Sequence, residues 1–191
     1  MKTRTILTLA AGCSLLFAAC NDNNTSGATA TNDSVSAAPR PDVVLAAVTG
    51  SPEFPGAALT IASVKGEKVG TDSAKVTFDF AVKNYELKMQ TPDNSDKGCN
   101  NSDKGQHIHF ILDNQPYKAL YEPKNEVVLA NNTEHYLMAF LSRSYHESVK
   151  SPGAALVYHF KIDEKGNLKK LDAPKEPMIF YSRPKGDYIG K

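Results

Sequence analysis

The sequence predicts an all-β protein, and three observations support that prediction. Several segments of the 191-residue chain alternate apolar and polar side chains with a period of two, as half-buried strands do. No window carries a sustained apolar pattern with the helical period and helix caps. Clusters of Gly, Asn, Asp, Ser and Pro separate the alternating segments, as turns would. These features indicate an antiparallel β-sandwich of about seven or eight strands, of the immunoglobulin-like kind.

The strand pattern begins near residue 58. Its clearest example, residues 75–82, places four large apolar side chains on one face and Thr77 and Asp79 on the other. Residues 125–130 and 134–141 flank the turn-forming residues 131–133, which predicts a hairpin. The predicted strands cover residues 58–64, 75–82, 107–112, 117–120, 125–130, 134–141, 155–162 and 177–181.

Two histidines on one predicted strand form the most chemically suggestive pair. Successive side chains of a strand point to opposite faces, so Ile108 enters the core while His107 and His109 point together to the other face, outside the packed interior. Imidazole binds zinc, copper and nickel, but two ligands are too few. A third ligand can come from His146, in the loop after residue 141, or from His135. A copper or zinc site at His107, His109 and His146 is therefore an alternative function, and the other interpretation is that solvent-facing or hydrogen-bonded histidines at strand edges bind no metal; no cofactor is otherwise expected.

The loop after residue 141 offers a second group of functional side chains. Arg143, Ser144, Tyr145 and His146 supply charged donors and hydroxyls that suit a phosphate or a carboxylate. These four residues are the predicted ligand-binding surface. The alternative is a polar hairpin tip with Tyr145 folded onto the domain.

Motifs of the common enzyme classes do not occur in the chain. It has no Gly-x-Ser-x-Gly elbow, no His-Glu-x-x-His helix and no phosphate-binding glycine loop. The prediction is therefore a non-enzymatic protein that binds a ligand. A structural envelope component without a small ligand is a further alternative.

The N-terminus predicts a secreted and lipid-anchored protein. Lys2 and Arg4 precede an uncharged, mostly apolar run over residues 5–19, which is long enough for a signal peptide and too short for a membrane span. The run ends in Leu-Phe-Ala-Ala-Cys20, which resembles the lipobox of bacterial lipoproteins. That resemblance implies removal of residues 1–19, acylation of Cys20 with palmitate among its lipids, and anchoring in the bilayer of the bacterial envelope, at the outer membrane. Residues 20–50 are too polar to form a core, and their composition predicts a flexible tether.

Charge and cysteine content narrow the possible partners and the sources of stability. The chain has 22 basic and 21 acidic residues, and removing Lys2 and Arg4 with the signal peptide leaves 20 basic residues and a net charge of −1. This balance gives no support for nucleic-acid binding. Of the three cysteines only Cys99 would remain unmodified, so no intrachain disulfide can form and a large core must stabilise the domain.

Several stretches together resemble a known group of proteins. They are residues 51–57, 105–109, 113–117, 140–148 and 180–186. The chain resembles small Bacteroidota lipoproteins that carry the name phosphopeptide-binding protein. The resemblance implies a binding module over residues 51–191 whose ligand is a protein, a peptide or an anionic group. Those lipoproteins continue past Gly186 with another apolar strand, so the resemblance also implies a domain that is truncated at its C-terminus.

Overall fold

The computed structural model of the protein describes Leu45, Ala47 and residues 50–97 and 100–182. This part of the chain contains eight strands and no helix, which confirms the predicted all-β class. Accordingly, none of its segments is a helix of the length and apolarity needed to cross a membrane. The predicted signal peptide, Cys20, most of the predicted tether and Cys99 lie outside the described residues.

Two antiparallel sheets face each other across one core. The first has the strand order β1-β2-β5 and the second has the order β4-β3-β6-β7-β8. The immunoglobulin-like form of this sandwich stays a prediction. The strands are β1 (Ala58–Val69), β2 (Ser73–Lys83), β3 (His107–Leu112), β4 (Lys118–Leu120), β5 (Lys124–Ala130), β6 (Thr133–Ser142), β7 (Ala155–Ile162) and β8 (Leu168–Lys170).

The core forms where the apolar faces of the two sheets meet. Phe78 of β2 lies against Phe110 of β3 and Phe160 of β7, with ring centroids 5.4 and 5.7 Å away. All three rings are at most 3% exposed. Because apolar residues recur with a period of two along each of these strands, the alternation directs the three rings to the same layer. The predicted inward faces of β2, β3 and β7 are confirmed.

The predicted hairpin over residues 125–141 is wrong. β5 pairs with β2 in the first sheet, whereas β6 pairs with β3 and β7 in the second. The connection between them therefore crosses from one sheet to the other. Asn131 holds this crossing, because its backbone N–H donates to the carbonyl of Asp72 and its side-chain amide donates to the carbonyl of Thr71. A turn signal marks a change of direction but does not state which sheet the next strand joins.

The predicted last strand over residues 177–181 is also wrong, because this segment does not form a strand. The last strand of the described residues is β8, which pairs with β7. The segment is held by the side-chain amide of Asn114 and not by hydrogen bonds to a neighbouring strand. Its Nδ2 donates to the carbonyl of Ile179, and its Oδ1 accepts from the backbone N–H of Tyr181, at 3.0 Å each. This tie brings the following residue, Ser182, to the histidine strand.

Candidate metal centre

His107 and His109 lie on the face of β3 opposite the sandwich core, as the alternation predicts. The expectation that they lie outside the packed interior is wrong, because both imidazoles are 0% exposed. A second packed layer covers them. Tyr117 stacks on the ring of His109 at a centroid distance of 3.9 Å, and Tyr121 lies 5.1 Å from the ring of His107. This layer comes from loops, which carry no periodic pattern by which sequence could predict it.

Three imidazoles converge beneath this layer. The Nε2 atoms of His107 and His109 are 3.0 Å apart. The ring of His146 lies 5.0 Å from that of His107 and 5.9 Å from that of His109. One ring nitrogen from each of the three residues lies within 4.8 Å of the other two. The predicted set of His107, His109 and His146 is therefore brought together.

Backbone carbonyls fix the tautomers of two of these rings. Nδ1 of His107 lies 2.8 Å from the carbonyl oxygen of Gly105, and Nδ1 of His146 lies 2.8 Å from that of Asn100. A carbonyl can only accept, so each Nδ1 carries the proton and each Nε2 presents its lone pair. Histidines that bind metals commonly have this arrangement, with the second nitrogen donating to a carbonyl.

His109 contacts His107 and Ser182 through its two ring nitrogens. Its Nε2 faces the Nε2 lone pair of His107, and its Nδ1 lies 3.1 Å from the hydroxyl of Ser182. Without a metal, His109 donates through Nε2 and accepts the Ser182 proton at Nδ1. Moving the ring proton to Nδ1 would place a third lone pair at Nε2, with Ser182 now accepting. A hydroxyl can serve in either state, so the network allows all three Nε2 atoms to become ligands.

The loop after β6 delivers His146 by a tight turn. The backbone N–H of His146 donates to the carbonyl of Arg143 at 3.0 Å, and His146 has a φ of 68°. The guanidinium of Arg143 supports the turn, because it donates to the side chain of Glu147, to the carbonyl of Ser148 and to the carbonyl of Pro52. At 4% exposure, Arg143 is part of the scaffold that places His146.

The other predicted ligand-binding residues of this loop are directed into the protein. Ser144 is 0% exposed and exchanges two hydrogen bonds with Thr91, each residue donating its backbone N–H to the hydroxyl of the other. Tyr145 is 6% exposed. Of the four residues, His146 alone joins the imidazole cluster. An anionic ligand at this loop stays a prediction.

His135, the alternative third ligand, lies elsewhere. Its ring packs against the core residue Phe160, its Nδ1 contacts a carboxylate oxygen of Asp113 at 2.7 Å and its Nε2 contacts the hydroxyl of Thr133 at 2.7 Å. It precedes Leu137 and Ala139 on the inward face of β6. That face points away from the imidazole cluster.

Burial controls the protonation state of His107. It lowers the pKa of His107 to about 4; the carbonyl of Gly105 opposes this shift, and the neighbouring His146 adds to it. The imidazole of His107 is therefore neutral at pH 7, which is the form that binds metals. Among the described residues, the cluster consists of three imidazoles without a carboxylate or a thiol.

Sequence reasoning missed the residues that hold and cover the imidazoles. Gly105 and Asn100 act through backbone carbonyls, which any residue has. Tyr117 and Tyr121 cover the rings, and their spacing in the sequence carried no signal for that role. Gly105 alone was open to detection, since a glycine directly before a strand indicates a special backbone conformation.

The cluster is thus a preassembled group of three imidazoles, with backbone carbonyls that accept from two of the rings and aromatic rings packed against them. No family model, curated protein or solved structure matches this chain. The function proposed below therefore follows from the side chains of the cluster and from the sequence.

Proposed function

We propose that this protein binds a copper or zinc ion through the Nε2 atoms of His107, His109 and His146. The observation that carries the proposal is the convergence of three ring nitrogens within 4.8 Å from two distant segments, β3 and the loop after β6. The carbonyls of Gly105 and Asn100 accept from Nδ1 of His107 and His146, which leaves both Nε2 atoms with a lone pair for a metal ion. Both copper and zinc accept imidazole nitrogen.

The distances support a site that needs little movement. Two nitrogens that each lie 2.0–2.1 Å from one zinc ion are separated by about 3.3 Å at a tetrahedral angle. The Nε2 atoms of His107 and His109 are already 3.0 Å apart. His146 lies in a loop and is less buried than the other two, so it can close the remaining distance by a small rotation.

Binding, and not catalysis, is the role we propose. His107 and His109 are fully buried, and the aromatic rings of Tyr117 and Tyr121 lie against them. A substrate would have to displace this layer to reach the metal, whereas a bare ion can enter beside the less buried His146. The resemblance of residues 16–20 to a lipobox supports a position in the bacterial envelope, where the module would bind metal while anchored to a bilayer.

The test is a metal titration of the mature chain, residues 20–191, with Cys20→Ser and Cys99→Ser so that no thiol competes. His107→Asn keeps an amide N–H close to the position of Nδ1 and removes Nε2. His146→Asn removes the ligand with a residue that tolerates the left-handed conformation. His159→Asn removes a histidine outside the cluster and is the matched control.

We expect one zinc or copper ion per chain, measured by competition with a chelator of known affinity. Both cluster variants should lose more than the roughly 10- to 100-fold that loss of an outer partner causes. The His159→Asn variant should bind as the parent does. Far-UV circular dichroism checks that each variant keeps its sheets, and unchanged affinity in both cluster variants would disprove the metal site.

A second candidate function is the phosphopeptide binding that the resemblance implies. One observation favours it: Arg143 and Lys150 line a surface cleft of about 330 Å³ beside Phe54. Arg143 is engaged with the loop, so the exposed Lys150 is the cation to test. If phosphoserine peptides bind this cleft, Lys150→Glu should abolish their binding while leaving the fold intact, and binding that survives the change would exclude the cleft.

A further inference from the structure

We infer that the segment after β8 positions His109 for the metal and is held more firmly once the metal binds, an inference that rests on the proposed function. This segment, residues 171–182, forms neither helix nor strand, and we call it the strap. Hydrogen bonds fix it to the second sheet at three points. The third of these points is a ring nitrogen of His109.

The strap crosses the outer face of the second sheet. It begins at β7, where the backbone N–H of Leu171 donates to the carbonyl of His159, and Nδ1 of His159 donates to the carbonyl of Asp172 at 2.7 Å. It ends at β3, where the hydroxyl of Ser182 lies 3.1 Å from Nδ1 of His109. In this sheet β6 lies between β7 and β3. Both histidines point outward from the sheet, so the strap passes β6 on that outer face.

The burial of Ile111 supports this path. Ile111 shares the outward face of β3 with His107 and His109, and all three side chains are 0% exposed. A residue on the outward face of a sheet is buried only where other parts of the chain lie over it. The outer face of β3 is therefore covered, and the strap reaches it at Ser182.

Asn114, in the turn after β3, is the middle anchor. Its side-chain amide donates to the carbonyl of Ile179 and accepts from the backbone N–H of Tyr181, at 3.0 Å each. These bonds fix the backbone directly before Ser182. Asn114 is not one of the three proposed ligands, so we expect it to influence metal binding through the strap.

Metal binding should strengthen the contact between the strap and His109. When Nε2 of His109 binds an ion, the ring proton lies on Nδ1 and donates to the hydroxyl of Ser182. The charge of the ion makes this N–H a stronger donor, and outer partners of this kind orient the ligand ring. Because coupling between two equilibria is reciprocal, the strap raises metal affinity and the metal stabilises the docked strap.

The first test is metal affinity, measured by chelator competition in the mature chain with Cys20→Ser and Cys99→Ser. The ion is zinc(II), or copper(I) if the parent binds only copper. Ser182→Ala should weaken binding by about 10- to 100-fold, and Ser182→Thr, which keeps the hydroxyl, should restore it. His159→Asn remains a suitable control, because its amide N–H and the backbone bond from Leu171 keep the first anchor.

The second variant releases the strap without touching the cluster. Asn114 has a φ of 56°, a conformation that glycine adopts freely, so Asn114→Gly removes the amide without backbone strain. Asn132→Gly is the matched control, because Asn132 has a φ of 58° and lies in the connection between β5 and β6. We expect Asn114→Gly to bind the ion about fivefold or more weakly, and the control to bind as the parent does.

Hydrogen exchange tests the reverse effect, which a merely structural role of the strap would not produce. The backbone N–H of Tyr181 donates to Asn114, so its exchange reports release of the strap. A saturating concentration of the same ion should slow exchange within residues 171–182 of the parent and have little effect there in Ser182→Ala. Exchange at residues 70–72, the turn between β1 and β2 in the other sheet, should not change.

Each other result has a definite meaning. If His107→Asn abolishes metal binding while Ser182→Ala and Asn114→Gly bind as the parent does, the strap inference is wrong and the proposed metal site stands. The inference is also wrong if Ser182→Thr fails to restore affinity, if Asn132→Gly loses as much as Asn114→Gly, or if the ion leaves exchange in the strap unchanged. If neither ion binds, or if His107→Asn and His146→Asn leave affinity unchanged, the proposed function fails together with the inference.

Discussion

Gly105 and His146 both have backbone conformations in the left-handed region, with φ of 79° and 68°. Two features require glycine at position 105: the positive φ, and the close approach of a neighbouring backbone segment. A Cβ there would lie 2.3 Å from the carbonyl oxygen of Lys88, which belongs to the backbone and cannot rotate away. The carbonyl of Gly105 in turn orients His107. One glycine thus connects the geometry of the loop to that of a proposed metal ligand.

Gly105→Ala should therefore lower both stability and metal affinity. The matched control is Gly70→Ala, because Gly70 also has a positive φ, of 64°, but has no atom within 4 Å of the added Cβ. We expect the control to lose about 1–2 kcal/mol of unfolding free energy, the cost of the left-handed conformation alone. Gly105→Ala should lose more, because the backbone at Lys88 must also move.

Urea denaturation and the chelator competition measure the two effects. Only Gly105→Ala should weaken metal binding, since only its carbonyl contacts His107. Equal losses of stability in the two variants, with equal metal affinity, would show that the close contact at Lys88 is relieved without cost.

At this scale the sequence predicts which histidines lie together, but it does not predict what surrounds them. His107 and His109 can be assigned to one strand face because alternation is geometric. His146 can be named as a partner because few other histidines exist. The carbonyls of Gly105 and Asn100 cannot be predicted, since backbone atoms leave no mark in the sequence. The burial of the rings cannot be predicted either, because the covering layer is made of loops.

At the scale of the strands, β6 and β7 carry a cluster of interacting side chains on their outer face. On the outer face of β6 and β7, the ring of Tyr136 stacks on that of His159 at 4.2 Å, and Nε2 of His159 lies 2.7 Å from a carboxylate oxygen of Glu134. The hydrogen bond from His159, followed by that from Tyr136, lowers the pKa of Glu134. Burial lowers the pKa of His159, but the carbonyl of Asp172 and the carboxylate of Glu134 outweigh it, so the pKa is raised.

Glu134→Gln should therefore change how stability depends on pH. The raised pKa of His159 stabilises the fold fully below its unfolded value of 6.5, and this contribution disappears as pH rises through the folded value. The lowered pKa of Glu134 stabilises the fold above 4.5, and this contribution disappears as pH falls through the folded value. The two contributions coexist between about pH 4.5 and pH 6.5.

Thermal melts at about pH 5.5 and about pH 8.5 measure this effect. We expect Glu134→Gln to lower the melting temperature at the lower pH and to have a smaller effect at the higher pH. Glu86→Gln makes the same change of charge at another exposed position and is the control. An equal effect of Glu134→Gln at both values would mean that the pair with His159 does not persist in solution.

Metal binding should also stabilise the fold, because its ligands join β3 to the loop after β6. An ion that binds only the folded chain contributes about 2.7 kcal/mol when its free concentration is 100 times the dissociation constant. Melts with and without zinc(II) measure this shift. The His146→Asn variant, which keeps His107 and His109 on one strand, should show little of it. An equal shift in both proteins would place the ion at another site.

Strand identity was predictable at this scale, and strand pairing was not. β5 and β6 were located correctly, but each belongs to a different sheet. Residues 131–133 signal a turn whether the chain returns beside the previous strand or crosses the core, because both routes need polar residues with adaptable backbones. β8 escaped prediction since Leu168 is its only apolar residue, and an edge strand needs no apolar pattern.

The whole molecule depends on one apolar layer between two sheets. Phe78 occupies its centre and is 0% exposed. Its ring lies edge-on to Phe110, Tyr158 and Phe160, all from the opposite sheet, at 5.4, 6.3 and 5.7 Å. No disulfide can assist this layer under the proposed processing, so packing has to supply the stability. The proposed metal site lies on the far face of the second sheet, away from this layer.

Phe78→Ala should therefore cost about 3–5 kcal/mol of unfolding free energy, a large part of the roughly 5–15 kcal/mol typical of a domain. Val128→Ala is the control, because Val128 lies in β5 of the same sheet and is 62% exposed; its loss should stay within about 0.5 kcal/mol. Urea denaturation compares the two through their midpoints and slopes. Where Phe78→Ala remains folded, its metal affinity should be close to that of the parent, since no cluster ligand contacts Phe78. Similar losses in the two variants would mean that the sheets do not share a core at Phe78.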